Sequence, residues 1–125
     1  MGQTTGKIWS KDEAEQLYGE VLQSASMNCK ELKNIISGTD ENVMFRLLDG
    51  NVAILGDGRK VIYPAGASVS AEDVFSRFSK SVVEELLTKS EEETLYVENR
   101  KEVLTVTYGE STLELGLPCP PWCAE

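Results

Sequence analysis

The run Asn42-Val43-Met44-Phe45-Arg46-Leu47-Leu48-Asp49-Gly50-Asn51-Val52-Ala53-Ile54-Leu55-Gly56-Asp57-Gly58 reads as apolar strands punctuated by two Asp-Gly pairs. Each pair supplies residues that tolerate positive φ, the requirement of a two-residue hairpin loop. The pairs separate three runs, 42–48, 51–56 and 59–63, which form an antiparallel meander. Two-residue loops fix the register: Leu47 opposite Val52, Phe45 opposite Ile54, and Ile54 opposite Val61. One face then carries Val43, Phe45, Leu47, Val52, Ile54, Val61 and Tyr63. The other carries Met44, Arg46, Leu48, Asn51, Ala53, Leu55, Lys60 and Ile62, five of them apolar. A face turned to water should be polar. A cover is therefore expected over Met44, Leu48, Leu55 and Ile62, either a helix or a second subunit.

Upstream, Ser10-Lys11-Asp12-Glu13 forms a capping box. Ala14, Leu17, Tyr18, Val21, Leu22 and Ala25 follow at helical spacing. Asn28 reads as a second cap, ahead of Leu32, Ile35 and Ile36, with Gly38 at the end. The reading is two helices, or one helix broken near 26–28. Downstream, a helix is expected after Ser70, with Glu72 and Asp73 in its first turn and Val69 and Val74 as a hydrophobic staple. Its stripe is Phe75, Phe78, Val82 and Leu86, ending near Lys89.

Strands at 94–98, 102–108 and 111–117 close the chain, with Gly109-Glu110 as a Gly-first hairpin loop. Leu95, Val97, Leu104, Val106, Tyr108, Leu113, Leu115 and Leu117 make their buried face. Tyr96, Glu98, Val103, Thr105, Thr107, Thr112 and Glu114 make a face expected to be solvated. The fold class is thus α+β with the order αβββαβββ. Residues 1–125 form one domain: an arm at 1–9, halves at 10–63 and 70–117, and a tail at 118–125. The halves repeat in architecture and not in residues. The simplest packing is one antiparallel sheet of about six strands with helices on one face, two smaller sheets being the alternative.

A length of 125 residues fits one domain without staples. The net charge is −9, carried as −2 over residues 1–62 and −7 over 63–125. That imbalance excludes a nucleic-acid or anionic-membrane partner. No apolar run approaches the ~20 residues of a membrane span. The polar start, Met1 to Gly6, lacks the apolar region of a secretory leader. Three cysteines without such a leader point to reduced thiols and a cytoplasmic location.

Catalytic groups are scarce. The chain has no His, which removes the commonest base and metal ligand. It has no phosphate-loop motif and no calcium loop, so no cofactor and no metal are expected. The acids fall in caps, helix faces and the run Glu91-Glu92-Glu93, which read as surface. Arg46 reads as a snorkelling strand residue, with anion binding as the alternative. The tail Cys119-Pro120-Pro121-Trp122-Cys123 is the one motif with thiol chemistry. Its CxxxC spacing departs from the redox motif, and a zinc site wants four ligands. Trp122 reads as a docking group. The functional expectation is a non-enzymatic protein-interaction or regulatory module acting as a homodimer, or binding another protein. Its interface residues would be Met44, Leu48, Leu55, Ile62 and Trp122. The alternative is a redox or metal-binding protein using Cys119 and Cys123.

Overall fold

The structure, a computed structural model, describes residues 5–119 apart from 49, 65, 67, 71, 102 and 115; of 48, 118 and 119 it describes the backbone alone. Along the chain it runs β1 (Lys7–Ser10), α1 (Lys11–Tyr18), β2 (Gln23–Asn28), α2 (Cys29–Ile36), β3 (Asn42–Leu48), β4 (Asn51–Leu55) and β5 (Val61–Tyr63). Then follow β6 (Phe75–Ser79), α3 (Lys80–Leu86), β7 (Thr94–Asn99), β8 (Leu104–Tyr108), β9 (Ser111–Glu114) and β10 (Leu117–Cys119). The fold is α+β, with two five-stranded antiparallel sheets. Sheet A has the order β1-β9-β8-β7-β2, and sheet B the order β10-β6-β3-β4-β5.

The expected order αβββαβββ is corrected in both halves by the same feature, a strand directly before the helix. Residues 23–28 are strand, where the sequence suggested a helix or its break. Gly19 ends α1 at φ 87, a conformation glycine adopts freely. Ala25 and Met27 then alternate inward along β2. Residues 75–79 are likewise strand, and α3 begins only at Lys80. Phe78 points into the main core and Phe75 into a separate cluster, the opposite faces of a strand. Ser70 and Asp73 form a tight turn instead of a helix start, with Asp73 N–H donating to the Ser70 carbonyl at 3.1 Å.

Each half is therefore βαβββ, and the halves exchange their first strands. β2 pairs with β7 of the second half, and β6 pairs with β3 of the first. The registers correspond. Asn28 lies opposite Thr94 as Ser79 lies opposite Asn42, and Met27 opposite Leu95 as Phe78 opposite Val43. Asn28 and Ser79 each sit at the N-cap of the following helix. Two further strands complete the sheets: β1 from the expected N-terminal arm joins β9, and β10 joins β6. One apolar cluster runs from Met27 to Leu113 and draws on both sheets, α2 and α3.

Both hairpin registers read from the sequence at 47/52 and 106/113 are present. The third is shifted. Asp57–Arg59 makes a 3₁₀ turn, and the ladder slips between Ile54 and Leu55, so Ile54 faces Tyr63 and Leu55 faces Val61. The Asp57 carboxylate explains the turn. It accepts the backbone N–H groups of Asp40, Glu41 and Asn42 at 2.9, 3.1 and 2.8 Å and so ties the turn to the start of β3. Burial raises its pKa, and these backbone donors, with Thr39, outweigh burial and hold it below the ordinary carboxylate value. Strand 111–117 is also two elements: the chain leaves sheet A after Glu114 and enters sheet B at Leu117, whose side chain is exposed.

Candidate functional site

The cover expected over the first meander comes from the same chain. Met44 and Leu55 are buried with Phe75, and Val61 and Val69 pack on them. Arg59 holds this cover in place, donating to the carbonyls of Ser70 and Asp73 at 3.0 and 2.9 Å. Arg46 pairs with the Asp73 carboxylate at 3.1 Å and stacks over the Phe75 ring. Its charge is spent on Asp73. Ile62 turns to the other side of the sheet, against the main core, because of the shifted ladder. Met44 and Leu55 are thus sealed inside the chain and offer no surface to a second copy. The Leu48 side chain, the Cys119 side chain, Trp122 and Cys123 lie outside the described residues, so the redox and docking roles expected of the tail fall there too. Among the described residues no group of three or more His, Cys, Asp or Glu could hold a metal.

The second meander departs from expectation more sharply. Apart from Tyr96, its polar face is largely removed from water. Glu98, Arg100, Thr105, Thr107, Thr112 and Glu114 are all buried. β1 extends this face at one edge, and α1 packs against β1 and β9. Sequence reasoning placed Glu98 and Glu114 on one face and missed their burial. No local signal announces it, because α1 buries little of its own surface: of its residues only Ala14 is fully buried.

Half of this cluster is saturated. Glu98 Oε1 accepts from Thr105 Oγ1 at 3.0 Å and Thr107 Oγ1 at 2.6 Å, and pairs with Arg100 at 3.4 Å. Arg100 also donates to Thr105 and to the carbonyl of Gly19, which pins the end of α1. Thr107 and Thr112 share a hydrogen bond of 2.9 Å. The other half is not. Glu114 is 0% exposed, and both its carboxylate oxygens lack a hydrogen-bond partner among the described residues. Trp9 Nε1 is a second buried orphan, on the adjacent strand. Burial pushes the Glu114 carboxyl up to about 7, with the Arg100 charge pulling the other way. Burial, then the charge of Glu114, raises Tyr18 above its ordinary value. A carboxyl near 7 suits acid–base work. With α1 in place no substrate reaches it, so what the arrangement can do is hold a proton.

A groove of about 630 Å³ opens between the sheets, at the strand ends remote from α2 and α3, with Phe45, Leu47, Val74 and Leu104 in its lining. It looks basic from its lining by Arg46, Arg100 and Lys101. However, the guanidinium groups of Arg46 and Arg100 bind Asp73 and Glu98 on the outer faces, which leaves Lys101 as its cation. Cys29 is buried at the first position of α2 beside Tyr108. A hydrogen bond with Cys29, then burial, pushes Tyr108 up to about 12, and its hydroxyl donates to the Glu92 carbonyl. Both groups are used in packing.

The remaining feature is a strand edge. In β6, Lys80 N–H donates to Glu41 beside β3 while Ser79 N–H points the opposite way, to the Thr5 carbonyl at 2.9 Å. β10 covers the rest of that outer edge, with Leu117 opposite Arg77 and Cys119 opposite Phe75. β2 is the counterpart of β6. Cys29 N–H donates to Glu93 beside β7, so by alternation Ser24 and Ser26 turn their backbone N–H and C=O groups outward and Asn28 its N–H, the Asn28 carbonyl being taken by the first turn of α2. Among the described residues nothing occupies the place that β10 and Thr5 fill on β6, and β2 ends its sheet. No family model matches the chain, and neither does any curated protein or solved structure. No helix among the described residues is long and apolar enough to cross a membrane.

Proposed function

We propose that this chain is a non-enzymatic protein-interaction module that takes up an extended segment at the edge of β2. One observation carries the reading: β2 and β6 correspond in register and in the helix that follows each, and among the described residues only β6 has its outer edge filled. An exposed strand edge presents unpaired donors and acceptors in a row, and strand addition is a common way of binding an extended peptide. Natural edges are usually blunted by charge, proline or a bulge. Gln23-Ser24-Ala25-Ser26-Met27-Asn28 has no charge and no proline.

The test is a pair of baits. In Ser26→Pro the lost N–H is one that faces outward, so the β7 ladder is kept, and proline is tolerated on edge strands in that position. Wild-type chain retains a stoichiometric partner in affinity capture, and the Ser26→Pro chain loses it while its far-UV circular dichroism stays unchanged. Identical captures by both baits refute the reading.

A further inference from the structure

We infer that the segment added to β2 is β2 of a second copy: two chains join antiparallel about a two-fold axis at Ser26, continuing sheet A through both. This inference rests on the reading of the chain as an interaction module and names its partner. A two-fold axis at Ser26 places Ser26 opposite itself and Ser24 of each copy opposite Asn28 of the other. Ser26 then exchanges two hydrogen bonds with its counterpart, and Asn28 N–H of each copy donates to the Ser24 carbonyl of the other, the self-complementarity an isologous contact requires. Ser24 and Ser26 are small and sit on the outer face, so side chains do not hold the edges apart.

The apolar surface points to the same seam. Of the six large hydrophobic residues that stay exposed among the described residues, three flank β2. Val21 and Leu22 lie in the segment that enters it, at 37% and 62% exposure, and Tyr96 lies beside Ser26 on β7. An apolar patch continuous with an open edge is a contact surface. A charged peptide has no complement there, since the strand is uncharged. Each copy carries −9, so association is opposed at long range and strengthens as salt screens it.

Sedimentation equilibrium of the full chain, from low micromolar to submillimolar concentration and at two salt levels, tests this. The expected result is a reversible dimer favoured by salt, with amide exchange at Ser26 and Asn28 slowing as concentration rises. Ser26→Pro weakens the dimer at least tenfold, and Ser26→Lys does the same by placing like charges directly opposite each other on the two-fold axis; the second variant keeps its backbone N–H and so keeps the test alive if the first does not fold. A strict monomer overturns the self-pairing. So does a dimer of unchanged affinity in both variants. A monomer whose captured partner is still lost in Ser26→Pro removes the second copy as partner and leaves the interaction reading standing.

Discussion

Replacing Glu114 by Gln should flatten the pH dependence of stability between about pH 4.5 and 7. Glu114 is fully buried, makes no hydrogen bond among the described residues, and has a folded-state pKa of about 7 against an ordinary value of 4.5. The folded state therefore binds the proton more tightly than the unfolded chain. Stability is highest below the unfolded value, falls as pH rises through the window, and levels off above about 7. Each pH unit of separation is worth about 1.4 kcal/mol, so the full effect approaches about 3 kcal/mol. That figure is a ceiling, because water entering beneath α1 would solvate the carboxylate. Urea unfolding of wild type and Glu114→Gln at pH 4.5, 6 and 8 measures it. The two proteins should be similar in acid, and the Gln variant should be the more stable at pH 8. Parallel profiles across the window would show that Glu114 is solvated or paired in solution and that α1 does not seal it.

Removing Arg100 has two effects. Arg100→Met leaves Glu98 with a buried unpaired charge and frees the end of α1, an expected loss of about 3–5 kcal/mol in urea unfolding. It also removes the charge that lowers Glu114, so the acid-stabilised window should extend to higher pH. The Asp57 contribution has the opposite sign to that of Glu114: its pKa is lowered, so its stability is present above the ordinary carboxylate range and lost as pH falls through the lowered value. Asp57→Asn should cost about 1.5–3 kcal/mol at neutral pH, from charge-assisted hydrogen bonds to backbone, and flatten the acid limb of the stability profile. Gly56→Ala would place its Cβ 2.8 Å from Thr39 Cβ, beside the same turn. Thermal unfolding should show a loss of about 1–3 kcal/mol from that overpacking, and no change would mean that Thr39 moves aside freely.

What the sequence determined by itself is local. The capping box at Ser10 and Glu13 and the cap at Asn28 stand as read, because a cap involves only residues within one turn. The hairpins joining β3 to β4 and β8 to β9 keep their expected registers, since a two-residue loop fixes the pairing on either side of it. The polar and apolar faces of the second meander were legible too, because strand alternation needs no partner to be seen. Tertiary structure decided which sheet each strand joins. β2 and β6 are strands because β7 and β3 lie beside them, far away in sequence, and the helical spacing of Phe75, Phe78 and Val82 carries no trace of that neighbour. Tertiary structure also decided what covers each face. The apolar outer face of β3 and β4 is closed by Val61 and Val69, and the polar face of β8 and β9 lies buried with α1 packed on β9. Strand pairing and burial are supplied by distant parts of the chain, so the open edge of β2 and the sealed carboxyl of Glu114 become visible only when both halves are seen together.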